Sequence, residues 1–193
     1  MDGAPTRYGS SEMPPLPLET LGTRIMVLGP SNAGKSTLAA ALSARLDLPL
    51  VHLDQLQHLP NTDWQPRPEK DFAALHDQAI QNESWIMDGN YSRLMLKRFE
   101  RATGVILLTS NHWIRLARYL KRTLINPDER IGQLEGGQEY LKWEMIDWIL
   151  FKTPKNGRRY ANMLKSADLP SIHCKSIQDL RALYEAWDLA VPR

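Results

Sequence analysis

The stretch Gly29-Pro30-Ser31-Asn32-Ala33-Gly34-Lys35-Ser36 fits the pattern G-x-x-x-x-G-K-[ST], in which a glycine-rich backbone wraps around phosphate groups. The apolar run 24–28 before it predicts a buried strand, and residues 36–46 after it predict a helix. A chance match to the pattern rarely has both flanks in place. The stretch therefore predicts a phosphate-binding loop between a strand and a helix.

Each residue type in this loop has a physical reason in phosphate binding. Gly29 and Gly34 let the backbone turn tightly and approach phosphate oxygens closely. Successive N–H groups and the following helix N-terminus attract anions. The Lys35 ammonium suits the β- and γ-phosphates, and the Ser36 hydroxyl suits Mg²⁺. The residues expected to bind a nucleoside triphosphate are Gly29, Asn32, Ala33, Gly34, Lys35, Ser36 and Thr37.

Composition and charge limit the class of protein. A chain of 193 residues suits one domain, and a net charge of +2 is too mild to indicate a general nucleic-acid binder. A single cysteine, Cys174, excludes an internal disulfide framework and favours a reducing compartment. No apolar run approaches the roughly 20 residues of a membrane helix. We therefore expect a cytoplasmic protein that does not contact a membrane.

The order of apolar patterns predicts an α/β fold. Strand-like runs at 50–54, 85–88, 105–109 and 171–174 alternate with helical patterns at 69–81, 112–124 and 177–190. This alternation is typical of a parallel sheet covered on both faces. Residues 1–20 are rich in proline and predict a flexible tail, which leaves 21–193 as the domain.

At this point the chain resembles the adenylate-kinase-like P-loop proteins, which include nucleoside monophosphate, shikimate and gluconate kinases. It is most similar to the FlaR-type DNA topology modulation proteins. The resemblance rests on four segments: Gly29 to Thr37, His52-Leu53-Asp54, Trp64, and Asp88-Gly89-Asn90-Tyr91. It implies a three-layer P-loop NTPase fold, a five-stranded parallel sheet in the order 2-3-1-4-5 flanked by helices, and a helical lid at about 111–160. It also implies ATP and Mg²⁺ as cofactors.

The resemblance also implies roles for two carboxylates. Asp88 ends the strand beside the phosphate loop and is the expected acidic partner of Ser36 at Mg²⁺; its alternative role is to cap a turn with Gly89. Asp54, expected to end strand two, is the candidate catalytic acid or base toward the acceptor, or alternatively a cap. The nearby His52 and His58 suggest a metal site only weakly, because a third spaced ligand is missing.

Three arginines on the helix after strand four share one face. Arg115, Arg118 and Arg122 follow helical spacing, opposite an apolar stripe that begins at Trp113. In the resembled kinases such lid arginines stabilise the transferring phosphoryl group. We therefore expect Arg115 to bind nucleotide, and Arg118 and Arg122 to act in catalysis together with Lys35. The alternative is an ordinary solvated surface.

Two functions follow from these observations. The first is a Mg²⁺-dependent kinase that transfers the ATP γ-phosphate to an unidentified small molecule or nucleotide. AMP is not the expected acceptor, because the chain lacks the adenylate-kinase pattern Asp-Gly-Phe-Pro-Arg after strand three. The second is an ATP-binding regulatory or DNA-associated protein, in which nucleotide switches the lid. Basic residues at 115–122 and 155–159 keep DNA open as a partner. The oligomeric state has no signature in the sequence.

Overall fold

The computed structural model describes residues 7–8, 16–109, 111–125, 132, 134, 141, 143–147, 149, 160–164 and 168–192. Half of the expected lid therefore lies outside the described residues. The same holds for the basic cluster at 155–159 and for the side chain of Arg122.

The described strands form one parallel sheet. The strands are β1 (Arg7–Tyr8), β2 (Arg24–Leu28), β3 (Leu50–His52), β4 (Trp85–Asp88), β5 (Gly104–Leu108) and β6 (Ser171–Cys174). Their order is β1-β6-β5-β2-β4-β3, and every pairing is parallel. From β2 to β6 this is the expected order 2-3-1-4-5, which is confirmed. The two-residue β1 adds an edge that the sequence pattern did not predict.

Helices connect the strands. They are a 3-10 helix (Leu18–Leu21), α1 (Lys35–Leu46), α2 (Leu53–Gln57), α3 (Glu69–Ile80), α4 (Met95–Arg101), α5 (His112–Ile125), α6 (Trp143–Asp147) and a C-terminal helix (Ile177–Ala186). The last begins at a capping box formed by Ser176 and Asp179, and it ends four residues before the predicted end. None of the described helices has the length and apolar character of a membrane span.

The central strand β2 is buried on both faces. Ile25 and Val27 pack with α1 and the C-terminal helix on one side. Met26 and Leu28 pack on the other side with α4 and residues 160–164. Because successive strand residues point to opposite faces, an uninterrupted apolar run places the sheet between two helical layers. The expected three-layer α/β architecture is thus confirmed.

The packed domain begins before residue 21. Leu16 and Leu18 lie within the segment expected to be a tail, yet they are buried in the core. The indole Nε1 of Trp187 donates to the carbonyl oxygen of Leu16 at 2.9 Å. The core therefore reaches back to residue 16, because the apolar side chains between the prolines pack on the C-terminal segment, and β1 adds residues 7–8 to the edge of the sheet.

Candidate functional site

The phosphate loop lies at the carboxyl edge of the sheet, between β2 and α1. Gly29 has a φ of 143° and Gly34 a φ of 98°, both in the region that favours glycine. A Cβ on Gly29 would collide with the carbonyl oxygen of Leu108 on the neighbouring strand. The loop therefore requires glycine at this position for both conformation and space.

Polar groups of the loop face inward. The side-chain nitrogen Nδ2 of Asn32 is buried and has no hydrogen-bond acceptor within the described residues. The ammonium Nζ of Lys35 donates to the carbonyl oxygen of Pro30 at 3.2 Å, which folds this side chain across its own loop. A buried donor without an acceptor is costly in a folded protein. An anionic ligand in the loop would satisfy it.

The structure brings the two expected Mg²⁺ residues together. The Ser36 hydroxyl donates to Asp88 Oδ2 at 2.6 Å, and Asp88 is buried. The other carboxylate oxygen, Oδ1, lies 2.7 Å from Nδ1 of His52. Burial alone would raise the pKa of Asp88, but the bonds from His52 and Ser36 and the charge of Lys35 outweigh it and lower that pKa. A hydroxyl and an ionised carboxylate are oxygen ligands that Mg²⁺ accepts.

His52 is a site residue whose contact the sequence analysis missed. In the parallel pairing of β3 with β4, His52 and Asp88 are register partners. The sequence placed His52 inside strand two, with Asp54 at the strand end, so neither the true strand end nor the register was visible. The weakly suggested histidine metal site does not form: His58 Nδ1 instead lies 2.8 Å from the Asp54 carbonyl oxygen. Within the described residues, no group of three metal-ligating side chains occurs.

Asp54 lies one strand away from Asp88, but not at the end of a strand. Strand β3 stops at His52, and Asp54 belongs to the first turn of α2, which corrects the expected position. The hydroxyl of Tyr91 donates to Asp54 Oδ1 at 2.6 Å. The Tyr91 ring also packs 5.0 Å from the ring of Phe72. The Asp54 carboxylate is therefore oriented by an aromatic residue from the turn after β4.

The turn after β4 also holds the phosphate loop. The side-chain oxygen of Asn90 accepts from the Gly29 N–H at 3.1 Å, and its nitrogen donates to the Gly29 carbonyl oxygen at 2.9 Å. An amide side chain can satisfy one residue's donor and acceptor in this way. Asn90 is one of the residues on which the family resemblance rests, but the sequence did not predict a contact for its side chain.

Two arginines of α5, Arg115 and Arg118, are turned toward the protein. The Arg118 guanidinium donates through Nη1 to the Ala33 carbonyl oxygen at 3.0 Å, directly on the phosphate loop. Arg115 is buried and donates to the carbonyl oxygen of Ile149 at 3.0 Å, a contact within the lid region. The start of the apolar stripe instead lies on the outer side, because Trp113 is 62% exposed. The solvated-face alternative is therefore wrong for Arg115 and Arg118.

A shallow, open pocket adjoins the loop and Arg118. Its walls come from the loop, the ends of β5 and β6, α5 and the start of the C-terminal helix, and the residues are Ala33, Leu108, Thr109, Ile114, Arg118, Cys174, Ser176, Ile177 and Leu180. Burial raises the pKa of the Cys174 thiol to about 12, assisted by Asp179. Cys174 is therefore an inert wall residue.

Comparisons with known proteins establish the fold. No family model matches the chain, and no curated protein does. Among solved structures, a shikimate kinase from Bacteroides thetaiotaomicron is similar, with a TM-score of 0.52, 18% identity, and 86% of this chain and 99% of that chain covered. A candidate kinase from Chloroflexus aurantiacus has a TM-score of 0.50 and 16% identity, with 86% and 97% covered. At such identities the likeness shows the fold alone.

Proposed function

We propose that the protein is a kinase that binds ATP with Mg²⁺ and transfers the γ-phosphate to a small molecule or a nucleotide. The observation that carries this proposal is the contact of Ser36 with Asp88, beside a phosphate loop whose conformation requires glycine at position 29. A loop alone supports nucleotide binding. A loop with a hydroxyl–carboxylate pair and a second carboxylate one strand away supports transfer.

The residues present fit both cofactors. Asn32 contributes a buried donor that lacks an acceptor within the described residues, and Lys35 contributes a positive charge to the same loop. Ser36 and Asp88 would hold Mg²⁺, directly or through water. When bound, Mg²⁺ neutralises charge on the phosphate oxygens. The shallow pocket between Arg118 and Ile177 adjoins the loop, and its apolar walls make it the surface proposed to face the base of the nucleotide.

Asp54 is the proposed acid or base toward the acceptor. Its carboxylate is anchored through one oxygen by Tyr91, which fixes its direction. A carboxylate held in this way can orient an acceptor hydroxyl and take its proton. Transfer then depends on positioning the acceptor in line with the phosphoryl group, assisted by the permanent charges of Arg118 and Arg122. In this proposal Arg115 acts through the lid region, because its described hydrogen bond is to the carbonyl oxygen of Ile149 there.

The test is a screen of acceptors for ADP formation from ATP and Mg²⁺, with phosphorylated product confirmed by ³¹P NMR. Sugar acids, hydroxy acids, nucleosides and nucleoside monophosphates cover the proposed substrate classes. We expect one class to accelerate ADP formation at least tenfold over the rate without acceptor. If MgATP binds and no class accelerates turnover, the protein is an ATP-binding regulator instead. The likeness to FlaR-type proteins and their link to DNA remain sequence-based predictions.

A further inference from the structure

Arg98 is a fully buried arginine outside the motifs that the sequence analysis identified. It lies on α4, and its accessible surface is 0% of the maximum. No carboxylate of the described residues forms an ion pair with it, and its Nε has no acceptor there. Burial lowers its pKa to about 10, against the raising effect of Tyr160 and Tyr91. The side chain therefore remains charged at neutral pH in an unfavourable environment.

The guanidinium is bound by three consecutive carbonyl oxygens. Nη1 donates to Gly89 O at 2.9 Å, and Nη2 donates to Asn90 O and, at 3.4 Å, to Tyr91 O. These residues form the turn after β4. Tyr91 has a φ of 35°, a conformation that an L residue keeps only where its surroundings hold it. Arg98 supplies charge-assisted bonds that hold this backbone.

The side chains of the same turn reach both halves of the site. Asn90 bonds the N–H and the carbonyl of Gly29 in the phosphate loop, and Tyr91 bonds Asp54. The side chain of Asn90 therefore depends on the backbone that Arg98 fixes, and so does that of Tyr91. An aliphatic residue would fill the same buried volume without the cost of a buried charge. A structural role in core packing alone does not account for an arginine here.

We infer that Arg98 is a positioning residue that sets the turn 89–91 so that Asn90 braces the phosphate loop and Tyr91 orients Asp54. Its consequence for phosphoryl transfer rests on the proposed function, whereas its effect on the geometry does not. One buried guanidinium thus couples the nucleotide half of the site to the acceptor half. Arg98 touches neither substrate.

The test compares Arg98→Lys with Arg101→Lys in the ligand-free protein. Arg101 is a matched control, because it lies one turn further along α4 and also donates to backbone carbonyls, those of Ile80 and Gln81. Lysine keeps the charge but lacks the planar fork. Amide hydrogen exchange by NMR at Gly29 should become at least tenfold faster in Arg98→Lys and change less than twofold in Arg101→Lys. The Asp54 carboxyl ¹³C shift should move in Arg98→Lys in the same direction as in Tyr91→Phe.

Exchange at Ile106, in the central strand β5, separates positioning from general destabilisation. If Gly29 and Ile106 accelerate by the same factor, Arg98 is merely structural and the inference is overturned. Unchanged exchange at Gly29 overturns it as well. Should Arg98→Lys fail to fold, Asn90→Ala takes its place: the inference requires faster exchange at Gly29, and unchanged exchange refutes it.

The affinity for MgATP provides a second test of this inference. We expect Arg98→Lys and Asn90→Ala each to weaken MgATP binding about tenfold. The double variant should also bind MgATP only about tenfold more weakly than wild type, because both substitutions disrupt the same contact between Asn90 and Gly29. Additive losses of about 100-fold would overturn the coupling. If the wild-type protein does not bind MgATP, the proposed function fails, while the exchange at Gly29 still decides the role of Arg98.

Discussion

The proposed phosphate side and the proposed acceptor side of the site are built in different ways. The phosphate side uses eight consecutive residues from Gly29 to Ser36, completed by Asp88 on the adjacent strand. The acceptor side assembles Asp54 from α2, Tyr91 from the turn after β4 and Phe72 from α3. A contiguous motif determines most of its own geometry, although Asn90 braces it from the turn after β4. An assembled pair depends on tertiary contacts, so the acceptor can differ among proteins that share the loop.

The largest expected effect comes from a substitution on the phosphate side. We predict that excess MgATP, at about 100 times Kd, stabilises the wild-type protein by about 2.7 kcal/mol, which raises Tm by roughly 5–10 °C for a domain of this size. Lys35→Ala should abolish that shift, because the charge that meets the β- and γ-phosphates is lost. Thermal unfolding with and without MgATP measures it, with Lys70→Ala, an exposed lysine on α3, as the control. Equal shifts in wild type and Lys35→Ala would show that the phosphate site is misassigned.

The second prediction separates the two sides. Asp54→Asn keeps the size of the side chain but removes the charge that orients the acceptor. We expect phosphoryl transfer to an acceptor found in the screen to fall about 100-fold or more, with MgATP affinity unchanged. Calorimetry and steady-state kinetics measure the two quantities, and the exposed Asp71→Asn on α3 serves as the control. Loss of MgATP affinity would place Asp54 on the phosphate side instead.

The third prediction tests whether Asp88 holds Mg²⁺ or only supports the phosphate loop. Asp88→Asn retains a partner for Ser36 but loses the negative charge proposed to hold Mg²⁺. We expect affinity for ATP with Mg²⁺ to fall about tenfold, while affinity for ATP in EDTA stays within twofold. Binding titrations under both conditions measure this difference. Equal losses in both would make Asp88 a structural residue of the loop.

The smallest expected effect concerns His76, which is buried on α3 beneath the acceptor side. Burial lowers its pKa below 6.5, opposed by the bond to Asp77 and reinforced by Arg98. The unfolded chain therefore binds a proton near pH 6.5 that the native state does not, so stability falls as the pH drops through 6.5. His76→Gln should lose less stability between pH 7.5 and 5.5 than wild type in denaturant unfolding. Some dependence should persist, because the pKa of His173 is lowered too, mainly by burial. An unchanged dependence would contradict this account.

The strand order, the phosphate loop and the closeness of Ser36 to Asp88 were all predictable from the sequence. The loop follows from a local pattern, whereas the strand order and the place of Asp88 were implied by the resemblance to adenylate-kinase-like proteins, in a parallel sheet whose strand ends meet at one edge. The orientation of α5 was predictable only in part. Arg118 does reach the phosphate loop, but Trp113 is exposed, because buried Arg115 occupies the inner side through its bond to a backbone carbonyl. Hydrophobic periodicity alone assigns the opposite side to the core.

Arg98 and Asn90 could not have been predicted from patterning. A single arginine in a seven-residue helix has no periodic signal that distinguishes a surface side chain from a buried one. Its role comes from three carbonyl oxygens that a turn with a positive φ at Tyr91 brings together. Such contacts exist only after β4 and α4 have packed. The contacts of the acceptor side therefore could not be predicted from the sequence.

The most direct test of this two-sided site is a crystal structure with Mg²⁺ and an ATP analogue whose γ-phosphate cannot be transferred. The account predicts the triphosphate within the loop 29–36, Mg²⁺ beside Ser36 and Asp88, and the γ-phosphate on the side of the cleft where Asp54 lies. A triphosphate bound outside the loop, or a γ-phosphate facing away from Asp54, would contradict it.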